Sequence, residues 1–426
     1  MDRKRNVAVF FILLLLLAPA LFACSANANT PETDDTPSPA ITTPAPTKTS
    51  VGVENYHIGV VTFDYTCNED EARSGDALVK EFGDADKDGI IKHVFQTYFS
   101  EDENEKIITE LADDPLMKAI IVNVGYFGTT KAFRKIREDG RDDILLMVAM
   151  SSEDPNIIPQ VADVIVDSDN FTRGYYDIVR AKNMGATAFV FMSFPRHMEW
   201  EGILKRKTIY EEACKDLGIE FVYETVPDPS ELGVAAAQQQ VYNMISYLVE
   251  KYGKDTAFFT THYALYAPII KRVIELGAIF VDQDDMSPLW GFPSALWLDL
   301  SAQIGDWPAI VNEIEKAVVA AGGAGRAGSF PYSINYQNTL GLVRLAMDMI
   351  EGKATGNLQN DLIAAYESLT PGCEWLAQPY GIWDSDVVQE TSNYFLLSMD
   401  TYIFGQGYSG VFSEPFPEKY YNLLKY

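Results

Sequence analysis

Sulfur and imidazole are scarce in this chain. Among 426 residues there are only four cysteines and four histidines. Cys24, Cys67, Cys214 and Cys373 form no C-x-x-C pair, so the spacing excludes an ordinary structural zinc site. His57, His93, His197 and His262 do not sit in an H-E-x-x-H helix, and no G-x-S-x-G elbow is present. A hydrolase needs a nucleophile with its base and stabiliser, or a metal with at least three ligands. Neither is legible, so no catalytic residue, metal or cofactor is expected.

Positive charge is also in deficit. Lysine and arginine number 33 against 61 acids, for a formal charge of −28. Such a surface repels nucleic acid and anionic head groups, which argues against a nucleic-acid partner. Two motifs fail on context. Gly323-x-Gly325-x-x-Gly328 matches a dinucleotide fingerprint by letter, but it follows a helix and opens none, whereas the phosphate cradle needs a strand before it and a helix after. Asp84–Gly89 has the carboxylate spacing that begins a calcium loop, but Phe95 stands where the bidentate glutamate belongs, and an acidic turn is the plainer reading.

The single long apolar run lies at the start. Arg3, Lys4 and Arg5 precede Val7–Phe22, and Leu21-Phe22-Ala23-Cys24 follows. A spanning helix needs about 20 apolar residues, and this run is shorter and ends in a small residue, the order of a signal peptide. The four last positions resemble the lipobox of bacterial lipoproteins. That resemblance implies that residues 1–23 are removed and that Cys24 carries a lipid anchor. Their loss moves the formal charge from −28 to −30. Residues 24–55, rich in Thr, Pro, Ala and Ser without apolar periodicity, read as a disordered tether. An exported chain can pair two of its three remaining cysteines, but sequence does not fix a pairing; three buried free thiols are the expectation.

A content of 47% hydrophobic residues is ample for a large core. From Tyr56 onward, short apolar runs alternate with helical patterns, the signature of βαβ units and a parallel sheet. Helices are expected near 69–82, 103–112, 130–138, 235–252, 268–276 and 338–351. Several strands end abruptly in polar or aromatic residues: VVTFDY, IVNVGYF, VIVDSDN, FFTTHY and IFVDQD. The most pronounced is Thr187–Trp200, where AFVFM gives way to Ser193, Phe194, Arg196, His197 and Trp200. In open α/β sheets the crevice beyond the carboxyl ends of the strands is where ligands bind.

A strand ending in the acidic turn Asp167–Asn170, a helix, a second apolar strand with a polar end, and a long helix closing at Lys215–Ile219 resemble the middle of type 1 periplasmic binding proteins and of the effector lobes of sugar-responsive repressors. The resemblance covers 56–352 by order of elements. It implies an α/β fold of two lobes, each a doubly wound parallel sheet, joined by hinges at Asp167–Asn170 and Phe330–Tyr336. Lobe 1 then comprises 56–169 and 333–353; lobe 2 comprises 170–332 and 354–426, the last segment as a C-terminal extension.

Within that reading, ligand-binding residues are expected where strands end. Phe63, Tyr126 and Phe194 supply ring faces, with Trp200 as a further face. Asp64, Asn123, Asp169, Arg196, His197, His262 and Gln283 supply polar contacts. The implied function is a membrane-anchored, extracytoplasmic solute-binding protein that captures a small polar or aromatic ligand for the permease of an ABC-type importer. A ligand sensor acting on a membrane partner and a surface enzyme are the alternatives; the missing catalytic motifs count against the enzyme.

Overall fold

A computed structural model describes residues 55–384 and 387–423. The expected signal peptide, Cys24 and most of the tether lie outside these residues. Three sheets organise the described residues. The first has seven strands in the order β11-β12-β5-β4-β3-β1-β2, with β1 His57–Thr62, β2 Ile91–Phe95, β3 Met117–Asn123, β4 Leu145–Ala149, β5 Val164–Ser168, β11 Trp375–Asp384 and β12 Val387–Met399. The second has four parallel strands in the order β7-β6-β8-β9: β6 Ala188–Ser193, β7 Glu220–Thr225, β8 Thr256–Thr260 and β9 Ile279–Phe280. A small antiparallel sheet joins β10 Gly328–Ser329, β13 Tyr402–Ile403 and β14 Gly407–Tyr408.

The near-continuous apolar runs follow from burial on both faces. Along β1, Ile58 and Val60 face one core while Val61 faces another, and along β6, Val190 and Met192 oppose Phe189 and Phe191. Side chains alternate across a strand, so each helix layer receives every second residue. Several helices begin at a side-chain cap. Asn68 accepts from the Glu71 amide at the start of Glu69–Phe82, and three acids in that first turn complement the helix dipole. The helices Glu101–Leu111, Thr129–Glu138, Val234–Tyr252, Tyr266–Leu276 and Ile334–Ile350 lie within a few residues of their expected places. The turn containing Gly323 and Gly325 leads into β10, so no helix follows it.

The chain passes between the two large sheets three times: after β5, after β10, and after β12. The first two fall in the stretches Asp167–Asn170 and Phe330–Tyr336. The third, Asp400–Thr401, places the C-terminal stretch differently from expectation. The helix Leu358–Leu369 packs on Ile334–Ile350, and β12 pairs in parallel with β5, matching Tyr394 to Ile165 and Leu397 to Ser168. Most of 354–399 is therefore an edge of the first lobe, and only the residues from Tyr402 onward lie with the second. The physical reason is that β5 would otherwise end the sheet with a bare edge. Covering it also buries Tyr394, Phe395, Leu397 and Met399. The thiols Cys67, Cys214 and Cys373 are free, and Cys67 is exposed, not buried as expected. Its loop sits beyond the carboxyl end of β1, outside any core. Among the described residues no helix is long and apolar enough to cross a membrane.

Candidate ligand-binding cleft

Both large sheets share one winding order. In the first, β1 lies between β2 and β3; in the second, β6 lies between β7 and β8. Successive connections therefore leave on opposite sides at β1/β3 and at β6/β8, and a crevice opens there at the carboxyl ends. The side chains bordering it are those that follow β1, β3, β6 and β8.

Beyond β6 and β8 a ladder of rings forms. His197 stacks on Trp200 with centroids 4.8 Å apart and on His262 at 5.4 Å. His262 stacks on Tyr263 at 4.7 Å, and Tyr263 meets Trp290 at 5.3 Å. Phe194 is buried beneath, 4.1 Å from the His197 ring. The outer rings stay in water: Trp200 is 55%, Tyr263 54% and Trp290 43% exposed. Apolar ring surface in water is unfavourable, and here the exposed rings are linked through the two imidazoles.

Hydrogen bonds fix the two imidazoles. The Ala264 amide donates to His262 Nδ1 at 3.1 Å, so that nitrogen is unprotonated and Nε2 carries the proton. His197 Nδ1 lies 3.0 Å from Thr261 Oγ1, which in turn lies 2.9 Å from Ser193 Oγ. Burial, with His262 and Arg196 nearby, pulls His197 down to about 4, and burial lowers His262 as well. Both rings are neutral at pH 7.

Arg196 lies over Phe194 with its guanidinium carbon 5.2 Å from the ring centroid, but its charge is engaged. Nε and Nη2 donate to the Asp228 carboxylate at 2.8 and 3.1 Å. Burial opposes the charge on Asp228, yet the hydrogen bonds from Arg196 and Ser230 prevail and hold the carboxyl well below its usual range.

The first lobe also carries rings beyond its strands. Phe63 is buried under Tyr98, the two rings stacked at 3.8 Å. Tyr98 meets Tyr126 at 5.2 Å, and Tyr126 meets Phe127 at 4.7 Å. Tyr98 and Phe127, not Phe63, are the rings that reach solvent. Two residues at this edge, Val124 after β3 and Met150 after β4, hold φ of +60° and +45°. A β-branched residue rarely adopts that conformation, and such outliers cluster at functional sites. Beside Phe127 lies a cavity of about 290 Å³ lined by Thr130, Lys131, Arg134, Glu101, Glu153 and Asp154 among others.

Other expected site residues do different work. Asp64 is turned to its own loop, accepting from the Thr66 amide and hydroxyl and from the Cys67 amide. Asn123 donates to the Asn335 carbonyl at 2.5 Å and to Thr339 Oγ1 at 2.6 Å, fastening β3 to the helix that returns to the first lobe. Asp169 is buried and caps the helix Thr172–Asn183, accepting from the Phe171 and Thr172 amides and the Thr172 hydroxyl. Gln283 spans the Trp290 carbonyl and Ser329 at the second crossing. The structure thus gathers Phe194, Arg196, His197 and His262 on one lobe and Phe63 and Tyr126 on the other, while Asn123, Asp169 and Gln283 build the frame. Tyr98, Asp228, Thr261, Tyr263 and Trp290 were not singled out in the sequence. Tyr263 closes the FFTTHY stretch and Tyr98 follows β2, so their place after strands was the available signal. Among the described residues no group of three histidines, cysteines or acids stands close enough to hold a metal ion.

The frame is itself ionic. Arg173 and Arg180, on the first helix of the second lobe, are fully buried. Arg180 lies 2.9 Å from Asp177, 3.6 Å from Asp282 and 3.4 Å from Asp400. Arg173 donates to the Gln283 and Asp284 carbonyls at 2.7 and 3.0 Å, and Thr401 donates to Asp282 at 2.9 Å. Arginines from one crossing therefore grip carboxylates and carbonyls beside the other two.

The chain resembles known proteins. The family model described as Protein of unknown function (DUF3798) matches residues 56–328, and a second family model matches 339–423. An uncharacterized protein of Treponema pallidum (strain Nichols) is 33% identical over 213 residues, which is 50% of this chain and 95% of that protein. Among solved structures, a protein of Clostridium difficile 630 provisionally described as a transcriptional regulator is 25% identical with a TM-score of 0.74. The match covers 83% of this chain and 100% of that one, so what they share is the two-lobed body. A sugar ABC transporter from Actinomyces odontolyticus ATCC 17982 has a TM-score of 0.46 at 10% identity, covering 70% of this chain and 84% of that one. The strand order and the crossings give the two-lobed α/β fold of type 1 periplasmic binding proteins.

Proposed function

The chain belongs to the family described as Protein of unknown function (DUF3798), and from that premise we propose that this member is a solute-binding protein that closes its two lobes on a small ligand. The single observation that carries the reading is the pair of exposed ring faces at the carboxyl ends of both sheets, at the points where each winding reverses. Solvent-exposed rings on both sides of a crevice have a physical use when a ligand covers them, since burying them contributes about 25 cal/mol per Å². Placement outside the cytoplasm, anchorage through Cys24 and delivery to an ABC-type permease complete the proposal. They rest on the signal-like start, the lipobox-like Leu21–Cys24 and the tether composition.

A test is thermal stability across a panel of sugars, nucleosides, flavins, amino acids and peptides. A ligand at 100 times its dissociation constant adds about 2.7 kcal/mol. No stabilisation by any small solute, together with turnover of one of them, would favour the surface enzyme instead. The description of the Clostridium difficile protein as a regulator favours a second reading, a sensor that reports ligand to a membrane partner. Permease and ATPase genes beside this one decide for transport; a membrane kinase or cyclase gene in their place decides for sensing.

A further inference from the structure

Accepting the cleft as the ligand site, its walls also restrict what the ligand is. Their surface is made of rings. The second lobe offers Trp200, Tyr263 and Trp290 in one contiguous ladder, and the first offers Tyr98 with Phe127 beside it. Flat faces reward a flat partner, because stacking gains most where two planes overlap.

The charges restrict it further. Anion recognition in a protein usually takes an arginine free to offer its fork. On the second lobe Arg196 is already held by both oxygens of Asp228, and Arg206 is held by Asp284. On the first, Lys131 is paired with Glu105 and Asp102. Arg134 lies past Phe127 in a cavity it shares with Glu101, Glu153 and Asp154. The His262 imidazole is uncharged by hydrogen-bond geometry and offers Nε2–H as a neutral donor, and the buried His197 ring beside it is tied to the Thr261 hydroxyl. At the Trp200–Tyr263 ladder an incoming phosphate or carboxylate meets arginines already held by carboxylates and has to give up its water.

We propose that the ligand is a flat heteroaromatic ring without negative charge, of the nucleoside kind, stacked between Tyr98 on the first lobe and the Trp200–Tyr263 ladder on the second. Asp228 is the residue that sets the charge preference, by cancelling Arg196.

Calorimetry on the full-length protein in detergent tests this with adenosine, guanosine, uridine, their 5′-monophosphates and D-ribose as probes. At least one nucleoside binds, its monophosphate binds more weakly by about tenfold or more, and ribose does not bind. Trp200→Ala and Tyr263→Ala each weaken the nucleoside by about tenfold. Asp228→Asn frees Arg196 and narrows or reverses the difference between nucleoside and monophosphate. Absence of nucleoside binding, or a monophosphate that binds the parent protein as tightly as the nucleoside, overturns the proposal. Scattering separates this failure from failure of the cleft reading. Ribose that binds and compacts the protein keeps the cleft and discards the ring. A nucleoside that binds without compaction and ignores Trp200→Ala discards the cleft itself.

Discussion

Arg180 and Asp400 lie 3.4 Å apart with neither side chain in contact with solvent, joining the first helix of the second lobe to the last crossing between lobes. Asp400 also accepts from the Gly410 amide at 2.7 Å, and Arg180 also holds Asp177 and Asp282. Burial and the nearby Asp177 push the carboxyl of Asp282 up, while the two arginines pull it down. The group is compensated only as a whole.

Arg180→Ala should therefore be severely destabilising. It leaves Asp177, Asp282 and Asp400 buried without their shared cation, a loss of about 3–5 kcal/mol. Equilibrium unfolding in urea reads it. A loss below about 1 kcal/mol would mean that water or proton uptake replaces the guanidinium at no cost.

The C-terminal stretch makes a separate prediction. Gly341 sits where the helix Ile334–Ile350 crosses Leu358–Leu369, and a Cβ there would fall 2.3 Å from the Tyr366 ring. Tyr366 is fully buried and holds Asn338 through its hydroxyl at 3.0 Å, so the ring has nowhere to go. Gly341→Val should cost about 1–3 kcal/mol through overpacking. Unchanged stability would indicate that the helix 358–369 is not seated on the first lobe.

Sequence made the βαβ alternation plain, because the central strands of both large sheets, such as β3 and β6, are buried on two faces and largely apolar. The helix Glu69–Phe82 could be bounded from its acidic first turn and Gly83. The third crossing was not legible, since β12 is one of two long strands of a hairpin and nothing in its letters tells which sheet edge it joins. Long-range pairing is a property of the fold, not of the segment. The candidate site was legible by position alone. Residues that follow strands were found, but Asp169 and Gln283 proved to be framework, and hydrogen-bond partners such as Asp228 for Arg196, 32 positions along, carry no local signal.

Glu71 gives a pH dependence. Its carboxyl is buried behind Phe63, and burial outweighs the hydrogen bond from the Phe63 amide to push it from 4.5 to about 8. The folded protein keeps this proton more tightly than the unfolded chain does. Its contribution is thus fully present below about 4.5 and is lost as pH rises through about 8. Glu71→Gln retains an acceptor for the Phe63 amide and removes the titration. The stability of the variant relative to the parent should rise between pH 5 and pH 8 by about 1–4 kcal/mol. A difference that stays constant with pH would show that Glu71 ionises freely in the folded protein.

Cys24 is the point of attachment in this account. Cys24→Ser supplies no thiol for acylation, so metabolic labelling with a fatty acid should disappear and the protein should leave the membrane fraction. Equal labelling of parent and variant would remove the anchor from the proposal.

Closure of two lobes on a ligand is the central claim, and a ligand shifts that equilibrium only as far as it binds the closed form more tightly than the open one. The most direct measurement is the distance between the two lips of the cleft. Spin labels at Glu103→Cys and Glu199→Cys, both exposed positions that follow strands on opposite lobes, are placed in a Cys67→Ser background, since Cys67 is exposed while Cys214 and Cys373 are buried. Pulsed dipolar spectroscopy is recorded with and without saturating amounts of the tightest-binding compound of the screen. Closure on the ligand moves the distribution to shorter distance and narrows it. A distribution unchanged at saturation would contradict it.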